Sequence, residues 1–200
     1  MTATPLIPDA TEPYGLFRAW FADAKASEPD LAEAMSLATA APDGKPSLRL
    51  VLVKDVSDDG FVFYTNAESR KGREIIANPY AALCFHWKSL HRQVRAEGMM
   101  AEVTPAEADA YWASRPRASQ IAAWASEQSQ VLTSRALLET RVKKFEARFE
   151  GAPVPRPVQW TGFRLSPTVI EFWHDVRNRL HERLVFHRLD GGWRTERLYP

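Results

Sequence analysis

An α+β fold, built around a barrel or a strongly coiled and mostly antiparallel sheet, is what this 200-residue sequence predicts, on three observations. Short runs rich in β-branched and aromatic residues recur along the chain, each bounded by Asp, Asn, Gly, Pro or Ser. Helical patterns with their own start signals are inserted in mid-chain and do not alternate with the strands one for one, which favours α+β over α/β. Too little chain follows the Pro-rich connector 151–157 to build an independent core. Residues 14–200 therefore read as one domain, preceded by a mobile arm, 1–13, that carries three prolines.

Leu16, Phe17, Trp20, Phe21 and Ala24 recur at helical spacing and predict an amphipathic helix over 14–26. The runs 36–41 and 47–54 flank Pro42-Asp43-Gly44-Lys45, a turn sequence, and predict a hairpin. Arg49–Lys54 and Phe61–Thr65, separated by the Asp/Ser/Gly-rich stretch 55–60, read as an antiparallel pair. Ser69 is a good N-cap for a helix that must stop near Asn78-Pro79. Strands follow at 80–87 and 91–103, the second alternating Gln93, Arg95 and Glu97 with Val94, Ala96 and Gly98. Thr104-Pro105-Ala106-Glu107 is a capping box with proline at the first helical position, starting a helix that ends near Ser114, before Pro116. A short helix over 119–124 is expected next. Ser134 then opens a longer one whose buried face carries Leu137, Leu138, Val142, Phe145 and Phe149. Strands at 163–165, 169–174 and 183–189 lead through Asp190-Gly191-Gly192 to a closing strand, 193–198.

Composition excludes several classes of function. With 26 basic and 25 acidic residues the net charge is +1, so no global field favours nucleic acid or an anionic membrane. No apolar run approaches membrane-spanning length, and the first residues lack the basic and apolar regions of a signal peptide. The single cysteine, Cys84, has no internal partner and lies in an apolar run, which suits a core position and a reducing cytoplasm. Metal-ligand spacings are absent, as are GxGxxG and P-loop patterns. If phosphates bind here, side chains hold them.

Three groups could do so. Arg70 and Lys71 occupy the first turn of the helix capped by Ser69, where the dipole and free N–H groups are already positive. Two cations there are mildly destabilising unless an anion joins them, and Arg49 is a further candidate for the same cluster. Tyr111 and Arg115 stand at i, i+4 on one helical face, and the break at Pro116 lets Ser119 turn toward them. Arg179, His181 and Arg183 share a face if their segment is extended.

The runs RLVLVK, FVFYTN, ESRKGRE, RQVRAEG, SRPRASQIAAWAS, RLHER and ERLYP, in this order over residues 37–200, together resemble the pyridoxine/pyridoxamine 5′-phosphate oxidase family. The resemblance implies an FMN-binding split β-barrel, mostly antiparallel and Greek-key-like, with flanking helices, that forms a homodimer with flavin mononucleotide (FMN) at the subunit interface. It implies that Arg49, Tyr64, Thr65, Arg70, Lys71, Gln93, Gln128, Ser129, Trp173 and Arg183 bind FMN, with Ser69 and Lys54 beside them. Lys54, Tyr111, Arg115, Ser119, Arg179 and His181 match its substrate positions, Arg179 and His181 bordering the reacting carbon. Arg49 and Lys54 are five apart, which a regular strand would send to opposite faces; strand twist, a bulge, or two ligands approached from different sides would reconcile them.

Three departures stand out. Glu182 replaces the usual Asp of RLHDR, Ala122 replaces a glycine common in SQIGAWAS, and the arm lacks the Arg/Tyr segment that some members fold over the substrate. The activity implied is oxidation of pyridoxamine 5′-phosphate and pyridoxine 5′-phosphate to pyridoxal 5′-phosphate, with dioxygen reduced to hydrogen peroxide. The alternatives are a split-barrel flavoprotein oxidase for another substrate, such as a phenazine precursor, and a non-catalytic carrier of FMN or pyridoxal phosphate.

Overall fold

Nine strands form one curled antiparallel sheet in the order β2-β1-β5-β6-β7-β4-β3, with β8 and β9 branching from β7. The structure, a computed structural model, describes residues 5–200. In chain order the strands are β1 (Ala34–Ala40), β2 (Pro46–Leu52), β3 (Asp55–Ser57), β4 (Gly60–Asn66), β5 (Tyr80–Trp87), β6 (Arg92–Glu102), β7 (Trp160–His174), β8 (Glu182–Leu189) and β9 (Gly192–Arg197). The helices are α1 (Pro13–Ser27), α2 (Arg70–Ala77), α3 (Pro105–Ser114), α4 (Arg117–Ala125) and α5 (Arg135–Arg148).

β7 explains the curl. From Phe163 to His174 it pairs with β6 along one edge, while its other edge pairs first with β4 and then with β8. A register shift at Glu97/Gly98, opposite Pro167, separates the two halves, and such bulges bend and twist a sheet. The expected strands 163–165 and 169–174 are thus one strand, because Pro167 sits at the bulge where no ladder donor is required.

Aromatic side chains fill the hollow of the sheet. Phe17 of α1 is fully buried, with its ring 5.0 Å from Phe61 and 5.1 Å from Phe85. Burying each such ring stabilises the fold by about 1.5–3 kcal/mol. A smaller core of Trp112, Ile121, Phe149, Val154 and Trp160 lies under α3, α4 and α5.

The hairpin β1–β2 forms as expected, Leu37 opposite Arg49. The expected pairing of Arg49–Lys54 with Phe61–Thr65 does not. β2 ends at Leu52; Val53 N–H still bonds Glu33, on the β1 side, at 3.0 Å, and Lys54 N–H bonds Val62 of β4 at 2.8 Å. The chain changes neighbours between these two residues, and part of the stretch read as a turn becomes β3, which pairs with β4. α5 is also less embedded than its pattern suggested: none of its residues is fully buried and Leu137 is exposed, while Val142 and Phe145 rest on the small core.

Of the segment 1–13 read as a mobile arm, residues 1–4 lie outside the described residues and 6–9 are tied to the barrel. Ile7 is fully buried, the Leu6 and Ile7 N–H groups each donate to the Glu182 carboxylate at 3.0 Å, and Arg197 donates to Ile7 O and Asp9. The Glu182 departure therefore has a structural use in this chain.

Candidate active site

The first turn of α2 gathers the first group. Ser69 caps it, its hydroxyl accepting from Gly72 N–H at 3.3 Å. Gly72 is required there, since a Cβ would lie 2.2 Å from the Ala67 carbonyl oxygen. Lys71 is buried, only 8% exposed, and its ammonium donates to Thr65 Oγ1 at 2.9 Å and to Ser69 Oγ at 3.2 Å. Among the described residues it has no carboxylate partner. Burial, and then the charge of Arg49, lower its pKa to about 8.

Arg49 reaches the same place from β2, donating to Leu37 O at 3.1 Å and Thr39 Oγ1 at 2.6 Å. Arg70 Nε donates to Glu74 at 2.9 Å, and Arg70 N–H donates to Ser129 Oγ at 3.1 Å. Gln128 accepts from Thr65 Oγ1 at 3.4 Å, so the loop after α4 closes over the start of α2. Arg49, Thr65, Ser69, Arg70, Lys71, Gln128 and Ser129 are thereby brought together.

A cavity of about 630 Å³ opens beside them, lined by Lys54, Tyr64, Thr65, Lys71, Tyr111, Arg115, Ser119, Gln128 and Trp160, among others. The switch of partners after Leu52 resolves the five-residue spacing of Arg49 and Lys54, because Lys54 no longer belongs to β2. An adjoining lobe of about 340 Å³ adds Asn66, Ala122 and Ser126, so the extra methyl of Ala122 faces the cavity. A wider cleft of about 790 Å³ near Glu150 holds none of these residues, and its Arg117 is bonded to the Phe149 and Ala152 carbonyls.

Arg115 follows the last residue of α3, and its guanidinium does not cap that helix. It lies 5.2 Å from the Trp112 ring centroid and 4.7 Å from that of Trp160, with Nη1 buried and without a hydrogen-bond partner among the described residues. Burial lowers its pKa, a shift the neighbouring Tyr111 opposes. A buried unpaired donor is costly, so this one suits a ligand anion. Tyr111 stacks on Tyr64 at 4.0 Å, forming an aromatic wall with Trp160.

The third group faces elsewhere. Gln93, Trp173 and Arg183 lie in one row across β6, β7 and β8 and alternate with the buried Val94, Phe172 and Leu184. Arg49 instead shares its face with the buried Leu37 and Leu83. Within one chain the two groups therefore look out from opposite faces of the sheet. Arg183 is fixed by Glu171, Nε to Oε1 at 2.7 Å and Nη2 to Oε2 at 3.0 Å.

The expected extended face of Arg179, His181 and Arg183 is not present. Arg177–Arg179 form a 3₁₀ turn, with φ of 60° at Asn178 and 61° at Arg179, and β8 starts only at Glu182. The turn leaves Arg179 exposed. His181 lies 4.8 Å from the Trp173 ring, its Nδ1 2.9 Å from Asp175 Oδ1 and 3.2 Å from the Val176 N–H nitrogen.

Two neighbours of the site escaped the sequence reading. Glu74, at i+4 from Arg70, was recoverable as a helical ion pair. Trp160 had no local mark; only the pairing of β4 with β7, Asn66 opposite Trp160, brings it to the cavity. Cys84 is half-buried rather than core, and burial raises its thiol pKa.

Residues 22–149 match the profile of the family described as pyridoxamine 5'-phosphate oxidase. The chain belongs to this family. Residues 160–200 match a second profile, the pyridoxine 5'-phosphate oxidase C-terminal dimerisation region. A pyridoxine/pyridoxamine 5'-phosphate oxidase of Sphingopyxis alaskensis is 58% identical over 94% of this chain and 88% of the relative. One of Gluconobacter oxydans is 53% identical over the full length of both. Among solved structures, PhzG from Burkholderia lata 383, in complex with tetrahydrophenazine-1-carboxylic acid, superposes with a TM-score of 0.92 at 32% identity, covering 100% of this chain and 98% of its own. These oxidase-family relationships agree with the barrel described above. Among the described residues no helix is long and apolar enough to cross a membrane.

Proposed function

We propose that this protein is an FMN-dependent oxidase that converts pyridoxamine 5′-phosphate and pyridoxine 5′-phosphate to pyridoxal 5′-phosphate. One observation carries the reading: a single cavity is lined by Lys71, Arg115 and Lys54, none of them paired with a carboxylate among the described residues, and two of these, buried Lys71 and Arg115 with its orphaned Nη1, are withdrawn from solvent. Each suits a phosphate, and the reaction needs two phosphate-bearing ligands, a flavin and a substrate.

Lys71, Arg49, Arg70 and the cap of α2 hold the flavin phosphate, with Thr65, Gln128 and Ser129 closing the other side. Arg115, Lys54, Ser119 and Tyr111 hold the substrate phosphate, and the Tyr64–Tyr111 wall excludes water from it. FMN, when bound, would supply the redox chemistry, a two-electron oxidation at the substrate's C4′ carbon with dioxygen as the final acceptor; for the amine, water then hydrolyses the imine to the aldehyde and releases ammonia. The protein contributes alignment and electrostatics. Gln93, Trp173 and Arg183 complete the flavin site, with Arg179 and His181 beside the reacting carbon. Because that row points away from the Arg49 cluster, one chain does not enclose a flavin alone. A two-fold partner supplies the row, making a homodimer with two equivalent sites. Leu48 and Leu50, exposed on the row's side of the sheet, suit burial in that interface.

The close superposition on PhzG favours a second reading, oxidation of a phenazine precursor. That substrate class has no phosphate for Arg115. Anaerobic addition of pyridoxamine 5′-phosphate to the purified yellow protein should bleach the flavin absorbance, and air should restore it. A flavin spectrum that stays unbleached would exclude this substrate, and a colourless protein that takes up no FMN would exclude both readings.

Lys71 adds a pH signature. A phosphate beside it favours the charged ammonium, so above a pKa of about 8 binding must also take up a proton. Below that pH the ammonium is already charged and affinity is level; above it, affinity should fall by up to about tenfold per pH unit. Titrations at about pH 7 and about pH 9 should show this weakening in the parent protein and little of it in Lys71→Met. Equal slopes in the two proteins would remove Lys71 from the phosphate site.

A further inference from the structure

The cation cluster proposed for the flavin phosphate contains a buried carboxylate that no family position assigns. Glu74, on α2, is 7% exposed. Its Oε2 accepts from Thr39 Oγ1 of β1 and Ser47 Oγ of β2, both at 2.5 Å, and from Arg49 Nη2 at 3.3 Å. Its Oε1 accepts from Arg70 Nε at 2.9 Å. Desolvation would raise its pKa, but the hydrogen bonds from Ser47, Thr39 and Arg70 outweigh that and hold it at about 2, so it is charged at any working pH.

A permanent anion beside a phosphate site looks counterproductive. We infer that Glu74 is the positioning residue of the flavin-phosphate site, joining helix α2 to the β1–β2 hairpin and holding Arg49 and Arg70 at their posts. This rests on the function proposed above. Two features of the cluster support it. Burial lowers the pKa values of Arg49 and Lys71, and each also feels a second cation: Arg70 lowers that of Arg49, a shift the charge and hydrogen bond of Glu74 oppose, and Arg49 lowers that of Lys71. Glu74 bonds to both arginines, and with three cations it leaves a net charge of +2. A phosphomonoester carries about −1.5 to −2 at neutral pH, so the cluster is matched to a dianion. Secondly, the Arg70 side chain is 61% exposed and Glu74 is its ion-pair partner. Released, it would sample many rotamers in water, and re-ordering it would weaken binding.

The sign of the effect separates this from simple electrostatics. Removing a negative charge beside a dianion should tighten FMN binding if Glu74 acts only through space. If it positions the arginines, Glu74→Gln should weaken FMN binding by about tenfold, or about 1.4 kcal/mol. Riboflavin, which lacks the phosphate, should bind both proteins alike. The measurement is quenching of flavin fluorescence on titration into apoprotein, with circular dichroism confirming the fold. Thr39 and Ser47 also accept hydrogen bonds from Arg49, so the second variant is Glu74→Asp, which keeps the carboxylate charge and withdraws it from its anchors. It should weaken FMN binding several-fold, and it decides the matter if Glu74→Gln does not fold. Unchanged or tighter FMN binding in the folded variants would overturn the inference, as would equal losses of FMN and riboflavin. Failure of the parent apoprotein to bind FMN at all would instead overturn the proposed function.

Discussion

Arg115→Ala should raise KM for pyridoxamine 5′-phosphate by about tenfold to a hundredfold while changing kcat far less. The half-buried guanidinium lies against the Trp112 and Trp160 rings, with Nη1 buried and unbonded, and no carboxylate pairs with it among the described residues. Its proposed partner is a phosphate that stays the same throughout the reaction. An interaction equal in ground and transition states affects KM alone. A lost charge-assisted hydrogen bond is worth ~1.5–3 kcal/mol, which sets the expected range. If the loss also lets the pyridine ring slide, kcat will fall too, since remote binding energy supports alignment. His181→Ala and Arg179→Ala should behave differently, lowering kcat with a smaller change in KM and with flavin still bound. Steady-state kinetics of the three variants, with flavin occupancy checked in each, make the comparison. An Arg115 variant crippled only in kcat beside a His181 variant impaired only in KM would mean that the substrate lies in the cavity the other way round.

Local chemistry made most of the elements legible. The capping box at Thr104–Glu107, the cap at Ser69 and the turn at Pro42–Lys45 each act within a few residues, and each forms as expected. The errors lie where distant pairing overrides local pattern. Nothing near Leu52 announces that the chain will leave β1 and join β4, since both neighbours accept the same β-branched residues. The 3₁₀ turn at Arg177–Arg179 is equally silent, because it places non-glycine residues at positive φ, which composition does not foretell. The site divides in the same way. Lys71 was suspect because cations at a helix N-terminus require an anion, and its burial strengthens that argument. Trp160 and the opposite facing of Arg183 depend on sheet register and emerge only from the fold. Family resemblance named Gln93, Trp173 and Arg183; geometry adds that they face away from the Arg49 cluster.

Replacing both Arg70 and Lys71 with Ala should weaken FMN binding by roughly 3 kcal/mol or more, a factor above about a hundred. Each charge-assisted bond is worth ~1.5–3 kcal/mol, and residues sharing one phosphate are not strictly additive. Stability of the apoprotein should move the other way. The Lys71 pKa lies at about 8 in the fold against 10.5 in the free side chain, so at neutral pH the folded chain carries an ammonium that burial disfavours. The linkage sign follows from proton counts. Between those two values the unfolded chain binds more protons, stability rises with pH, and below the window the cost is present in full. It amounts to up to roughly 3 kcal/mol. Removing Arg70 gives part of this back, because Glu74 loses one of its donors and keeps Thr39, Ser47 and Arg49. The double variant should therefore melt no lower than the parent apoprotein while losing its colour on purification. In the proposed site a bound dianion offsets the burial of the unpaired cation, and thermal unfolding with and without added FMN measures both effects. A double variant that purifies with full flavin and an unchanged dissociation constant would place the phosphate elsewhere in the cavity.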